Sequence, residues 1–249
     1  VDQIYFPQIE VVGHIMTSLE RLAEIIDSPP EYDLVNFHKV KNNVLAKIHI
    51  DSDSENFPMK PQRVVSDIRK IMGYHDIIAL DNGVYKIWFA RNYPAFQPNT
   101  VLLDNALATM GAGLPSAMMA SMLFPNRKVM SICGDGGFMM NSQELETAVR
   151  LSLNLVVVVL NDNSYGMIRW KQAGAGFTDW GLEYNNPDFI QYANSYGAKG
   201  HRVDSADNFF TIVNKAFNEK GVHLIDVPVD YSDNVKHLIT DLSKHEPII

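Results

Sequence analysis

Cysteine is nearly absent: Cys133 is the only one in 249 residues. A single thiol excludes an internal disulfide framework and points to a reducing, cytoplasmic setting. Long hydrophobic runs are missing too. The longest, Leu155–Leu160, has the length of a strand and falls well short of the roughly 18 residues of a membrane span. The opening VDQIYFPQIE lacks the basic-then-apolar pattern of a signal peptide. There is no cluster of Lys or Arg, and the formal net charge is -8. Such a chain repels phosphate backbones, which argues against a nucleic-acid partner. No Walker-type Gly-x-x-x-x-Gly-Lys-Ser/Thr occurs. Gly111-x-Gly113 runs into Leu114-Pro115 without a third Rossmann glycine, so it is weak support for dinucleotide binding. Internal repeats and low-complexity segments are also missing.

What is present is a globular composition, with 46% hydrophobic and 20% charged residues. Val12, Ile15, Met16, Leu19, Leu22, Ala23 and Ile26 recur at helix period. Ser28-Pro29-Pro30 stops that helix, and a second is expected from Leu34 to about Ile48. The stretch DSDSENFP has the spacing Asp51-x-Asp53-x-Glu55. It lacks the glycine and distal glutamate of a calcium loop and reads as a solvated turn. A new domain is expected from about residue 57. After Pro61, helices and strands alternate: PQRVVSDIRKIM, DIIAL, VMSIC, SQELETAVRL, LVVVVL, PDFIQYANSYG, KGHRV, ADNFFTIVNKAF and HLIDVPV. The strands are short, continuous and β-branched. This predicts an α/β fold with a mostly parallel sheet and helices on both faces. Such sheets bind ligands at the carboxyl ends of their strands.

Two acidic turns sit at those ends. Gly134-Asp135-Gly136 follows VMSIC, and Asn161-Asp162-Asn163-Ser164 follows LVVVVL. Gly134 and Gly136 allow tight backbone geometry, and a helix is expected from Asn141, with Glu144 completing a capping box. A glycine turn before a helix attracts anionic oxygens. Asp135 would repel them unless a divalent cation lies between. Magnesium takes oxygens from carboxylates and substrate phosphates together, and Asp162 with the Ser164 carbonyl can supply more. One helix and one return strand between the turns bring neighbouring strand ends together. Either turn alone reads as ordinary turn chemistry; the pair favours a metal. Met110 and Met167, taken alone, read as core packing. The eight histidines show no metal-ligand spacing, and Cys133 reads as core.

A wider match carries a family. "TMGAGLPSAMMAS" (Thr109–Ser121), "GDGGFMMNSQELETAVR" and "NPDFIQYANSYGAKGHRV" (Asn186–Val203) resemble the acetolactate synthase (acetohydroxyacid synthase) large subunit. The glycine-aspartate-glycine turn and the later Asn-Asp turn resemble its thiamine diphosphate motif. The likeness covers about residues 60–230. It implies that residues 1–27 are the end of the family's central domain, 28–56 a linker with a helix, and 57–249 a C-terminal domain with the thiamine diphosphate-binding fold.

By this resemblance, Asp135, Asp162 and the main-chain oxygen of Ser164 are the magnesium ligands. Many members carry Asn at position 162, and a register shift would use Asn163 instead. Gly136 and Gly137 offer amides to the diphosphate, beside Gly134. Met110 wedges under the thiazolium, the Ala108 carbonyl holds the 4'-amino group, and Met167 borders the reacting atom, with Tyr165 and Gly166 beside it. Leu80–Trp88, LDNGVYKIW, matches a loop that often reads Asp-Val-Gly-Gln-His-Gln-x-Trp. Gly83 is kept, but Val84 and Tyr85 replace Gln and His, so contacts there fall to backbone, Asn82 or Tyr85. The implied reaction decarboxylates pyruvate and joins the remaining unit to a second 2-ketoacid. The activating glutamate belongs to an N-terminal domain, normally of a partner subunit, so no catalytic residue is expected here and the chain alone is expected to be inactive. A homodimer or tetramer, a regulatory small subunit and FAD are further implications. Another thiamine-dependent decarboxylase, carboligase or oxidase, or a non-catalytic assembly module, remains an alternative.

Overall fold

The structure is a computed structural model and describes residues 7–26, 28 and 31–237. The elements follow in chain order: α1 (Ile15–Ile25), α2 (Val35–Ile48), α3 (Pro61–Ile71), β1 (Ile77–Leu80), α4 (Tyr85–Asn92), β2 (Val101–Leu103), α5 (Gly113–Leu123), β3 (Val129–Gly134), α6 (Asp135–Met140), α7 (Glu144–Arg150), β4 (Leu155–Asn161), α8 (Gly166–Gly174), α9 (Phe189–Ser195), β5 (Lys199–Arg202), α10 (Ala206–Asn218) and β6 (Val222–Pro228). The chain divides into two compact units, Val1–Leu45 and Ala46–Ile249. In the first unit α1 keeps its apolar stripe exposed, with Ile15, Met16, Leu19, Leu22 and Ile25 all open to solvent. The Pro29-Pro30 stop after α1 lies outside the described residues.

The second unit is built on a six-stranded sheet in the order β2-β1-β3-β4-β6-β5. Every pairing is parallel. Alternation along the strands feeds two cores. Ile78, Leu80, Met130, Ile132, Val156, Val158, Ile225 and Val227 face one side, against Val64 and Ile68 of α3, Trp88 of α4 and Phe209 of α10. Ile77, Ala79, Val129, Cys133, Val157, Val159 and Leu224 face the other, against Leu114 of α5, Phe138 of α6, Leu145 of α7 and Phe189 of α9. A sheet buried on both faces needs continuous apolar strands, which is what VMSIC and LVVVVL are. Cys133 is fully buried in the second core.

β2 and α5 do not appear in the pattern read from the sequence. β2 is three half-buried residues at the sheet edge, too short to show a period. α5 is apolar nearly all round, leaving Met119, Met122 and Leu123 exposed. α4 begins at Tyr85, within the LDNGVYKIW stretch (Leu80–Trp88) expected as a loop. At DSDSENFP, Arg63 Nη1 donates to the carbonyls of Asp53 at 3.4 Å and Ser54 at 3.0 Å. Two histidines do meet: His201 and His223 stack across β5 and β6, with Nε2 and Nδ1 3.0 Å apart.

The order of the sheet places the ligand side. The chain runs from β1 out to β2, then crosses to the other side of β1 to form β3. That reversal opens a crevice at the carboxyl ends of β1 and β3. Register pairs Leu80 with Ile132 and Gly134 with Leu160. Three loops therefore leave the sheet side by side: Asp81-Asn82-Gly83, Asp135-Gly136 and Asp162-Asn163.

Gly113 lets α5 reach the first of these loops. A Cβ there would lie 2.7 Å from Asp81 Cβ and 2.9 Å from Asp81 N. Backbone at that distance cannot step aside. Gly113→Ala is therefore expected to destabilise the fold by about 1–3 kcal/mol, the usual cost of overpacking; urea denaturation checks it, and an unchanged midpoint contradicts the packing.

Candidate functional site

The three strand ends open into a narrow cleft. Asn82, Gly83, Tyr85 and Met110 line one side. Gly134, Asp135, Gly136 and Gly137 form its floor. Asp162, Ser164, Tyr165, Gly166 and Met167 line the other side. Every candidate from the sequence meets here except Ala108, which is exposed and lies outside the lining. Val84 and Tyr231 also line it.

The floor differs from expectation in its local structure. The helix starts at Asp135 itself, with Gly134 as N-cap, and breaks at Asn141. A separate helix, α7, starts at Glu144 without a side-chain cap. The expected start at Asn141 with a Glu144 capping box is therefore wrong. The Asn141 side chain turns elsewhere: its Nδ2 donates to Gly111 O at 2.9 Å. Neither Gly134 nor Gly136 has positive φ; close approach, not backbone freedom, demands glycine. A Cβ on Gly136 would lie 2.6 Å from the Tyr184 hydroxyl and 2.9 Å from the Tyr165 ring, and one on Gly137 would lie 2.9 Å from Asp81 Oδ2. The Gly136 amide is already engaged, donating to Asp135 Oδ1 at 2.9 Å.

Asp135 is buried. Its Oδ2 accepts from Asn186 Nδ2 at 2.7 Å. Burial pushes its carboxyl above the ordinary range, while Asn186, Tyr184 and backbone amides hold it back. Asp162 is pushed up to about 7, first by burial and then by the charge of Asp135; Arg169 opposes this. Yet Arg169 pairs with Asp179 at 3.1 Å and Glu183 at 3.1 Å. Among the described residues, no ion pair neutralises either aspartate of the cleft. Just after Asp162, Asn163 turns the chain with φ 53, and the Ser164 carbonyl accepts from the Tyr184 hydroxyl at 3.3 Å. Two close, unneutralised carboxylates and a carbonyl form the hard-oxygen set that a divalent cation takes. Buried polar atoms without a partner among the described residues, Tyr85 Oη, Ser164 Oγ and Tyr231 Oη, also lie in the lining. The residues present fit a metal with a polar, oxygen-rich ligand.

The first loop is less free than the sequence implied. Asn82 Nδ2 donates to Thr109 O at 2.7 Å, and its Oδ1 accepts from Lys86 Nζ at 2.7 Å. Asn82 thus ties the loop to the Met110 segment. Tyr85 is the first residue of α4, with its ring edge against Gly83 and Gly134.

Asp81 is the residue that sequence reading missed. It is fully buried and its Oδ1 accepts from the amides of Asn82 at 2.6 Å and Gly111 at 2.9 Å. Burial pushes its carboxyl up, while the amides of Asn82, Gly111, Ala112 and Gly113 favour the charged form. It caps the start of α5 from another loop, and Gly111 meets it with φ 89. The Gly111-x-Gly113 pair serves this contact. A lone Asp ending an apolar strand was the available signal. Tyr184 carried no signal of its own, and Asn161 and Asn186 stood in recognised stretches without a role.

This geometry has a family. Residues 81–227 match the model of the thiamine pyrophosphate enzyme C-terminal TPP binding domain. The chain belongs to that family of thiamine pyrophosphate-dependent enzymes. Within it, its relatives include acetolactate synthases. It is 32% identical over 245 residues to acetolactate synthase of Bacillus subtilis (strain 168), covering 94% of this chain and 42% of that protein. It is 34% identical over 235 residues to the catabolic acetolactate synthase of Raoultella terrigena, covering 92% of this chain and 42% of that protein. The chain thus spans about two fifths of the length of these relatives and resembles their C-terminal, TPP-binding part. In fold it is similar to the thiamine diphosphate-dependent 4-hydroxybenzoylformate decarboxylase of Rhodococcus jostii RHA1, with a TM-score of 0.71 and 22% identity over 87% of this chain and 40% of that one. Among the described residues no helix is long and apolar enough to cross a membrane.

The raised carboxyl of Asp162 gives a pH signature. A carboxyl whose folded pKa lies above its unfolded value binds more protons folded than unfolded, so stability falls as pH rises from about 4 to about 7. In chelator, Asp162→Asn is expected to raise the melting temperature at pH 8 and to leave it nearly unchanged at pH 4. Equal effects at both pH values would contradict the burial of a charge there.

Proposed function

We propose that this chain is the magnesium- and diphosphate-binding part of an acetolactate synthase. The observation that carries this reading is the pair of unneutralised carboxylates, Asp135 and Asp162, at neighbouring strand ends of one cleft in a thiamine pyrophosphate domain. Asp135, Asp162 and the Ser164 carbonyl would hold magnesium. The metal would offset the mutual repulsion of the two carboxylates and admit the diphosphate beside the start of α6. Met110 and Met167, on opposite walls, would give the organic part of the cofactor an apolar seat. Bound there, thiamine diphosphate supplies the electron sink for decarboxylating pyruvate and joining its two-carbon unit to a second 2-ketoacid. The chain's own residues bind and orient it.

No glutamate or histidine lines the cleft among the described residues. This fits a site whose activating acid comes from elsewhere. Met119, Met122, Met139 and Met140 on α5 and α6 are exposed, which fits a face covered by another subunit in a homodimer or tetramer.

The complete gene product with pyruvate, thiamine diphosphate and magnesium is expected to form acetolactate. Asp135→Ala should lower kcat/KM by at least about 100-fold, in the range seen when a principal charge-stabilising group is removed. This chain alone should form none. Release of acetaldehyde or acetate as the main product would move the assignment to another thiamine-dependent enzyme, and turnover by the isolated chain would overturn the half-site reading.

A further inference from the structure

Asn186 stands just before α9 and has no assigned task, yet its side-chain amide is the centre of the polar network under the cleft. Its Nδ2 lies 2.7 Å from Asp135 Oδ2, 3.0 Å from Asn161 Oδ1 and 3.0 Å from Asn163 Oδ1. Three oxygens converge on one NH2 group. The other end of the amide, Oδ1, is buried without a partner among the described residues. Turning the amide over would set that oxygen against three others, so the orientation is forced.

The amide is anchored from both directions. Asn161 Nδ2 donates to the buried Asp226 Oδ1 at 3.0 Å, and Asp226 Oδ2 accepts from Arg202 Nε at 3.2 Å. Asn161 Oδ1 also accepts the Asn163 amide at 3.2 Å, which closes the second turn. On the other side the segment Leu182–Asn186 lies across that turn as a strap. Tyr165 N donates to Leu182 O at 3.1 Å, and Ser164 and Glu183 form an antiparallel bridge. Two residues on, Asp188 caps α9 through the amides of Ile190 and Gln191, which fixes the root of the strap.

The chemistry of these donors is selective. Asp135 is held by the Asn186 side-chain amide and the Gly136 backbone N–H, both of them neutral. A lysine or arginine in their place would orient the carboxylate and also cancel its charge. Neutral donors fix the direction of the carboxylate and leave its charge for a dication.

We propose that Asn186 is a positioning residue that holds Asp135 and the Asn161–Asn163 turn in the arrangement that receives the metal. The role rests on the reading of Asp135 and Asp162 as magnesium ligands. The test uses Mn²⁺ as a paramagnetic stand-in, titrated with thiamine diphosphate present and followed by electron paramagnetic resonance. The proteins are the complete gene product and, within it, Asn186→Leu, Asn186→Ala and the exposed-neighbour control Asn185→Ala. Both Asn186 variants are expected to bind Mn²⁺ about 10–100-fold more weakly, the usual effect of losing a group that orients a metal ligand. Their bound-Mn²⁺ spectra should show altered zero-field splitting, while Asn185→Ala behaves as the parent. Melting of the metal-free proteins separates positioning from folding. Parental affinity and line shape in both Asn186 variants would overturn the proposal, as would a loss of affinity that merely follows a fall in metal-free melting temperature. If the parent protein binds no Mn²⁺ under these conditions, the magnesium reading falls and takes this role with it. Parental binding with indifferent variants removes the role of Asn186 alone.

Discussion

Two carboxylates share one cleft, and no side-chain cation neutralises them among the described residues. The site is organised around that repulsion. Asp162 is pushed up to about 7 by burial and by Asp135, so the ligand-free fold carries an electrostatic cost at neutral pH. A fold retains such a cost where something outside the chain offsets it, and a divalent cation is the simplest such partner. The parallel sheet creates the repulsion by construction. Register sets Gly134 beside Leu160, so Asp135, one residue past Gly134, and Asp162, two past Leu160, leave neighbouring strand ends.

The rest of the cleft is shaped by close approach. Gly134, Gly136 and Gly137 let Tyr85, Tyr184, Tyr165 and Asp81 come within reach of the floor. Asp81 draws the start of α5 toward β1 through the amides of Gly111, Ala112 and Gly113, which carries Met110 to the cleft wall. Asn82 fastens the same segment through Thr109. The two loops that flank the expected cofactor are thus tied together by groups with no direct part in holding a metal. The strap from Leu182 to Asn186 does the same for the second turn.

Much of this was legible in the sequence because it is local. Alternating helices and β-branched strands marked the parallel sheet, and two acidic turns one crossover apart marked neighbouring strand ends. What was not legible depends on distance in the chain. Gly113 and Asp81 meet across two elements, and Asn186 reaches Asp135 from beyond α8. No local pattern announces such contacts. The capping box failed for a related reason: Asn141 is drawn to Gly111 O, a tertiary bond that overrides the local motif. β2 was missed because three residues at an edge have no period.

The central claim is that Asp135 and Asp162 form a metal site that the diphosphate needs. Calorimetric titration of thiamine diphosphate into the chain, with magnesium and then with chelator, tests it most directly. The account predicts binding with magnesium that is lost in chelator and lost again in Asp135→Ala. Binding of equal strength without magnesium, or in that variant, would contradict it.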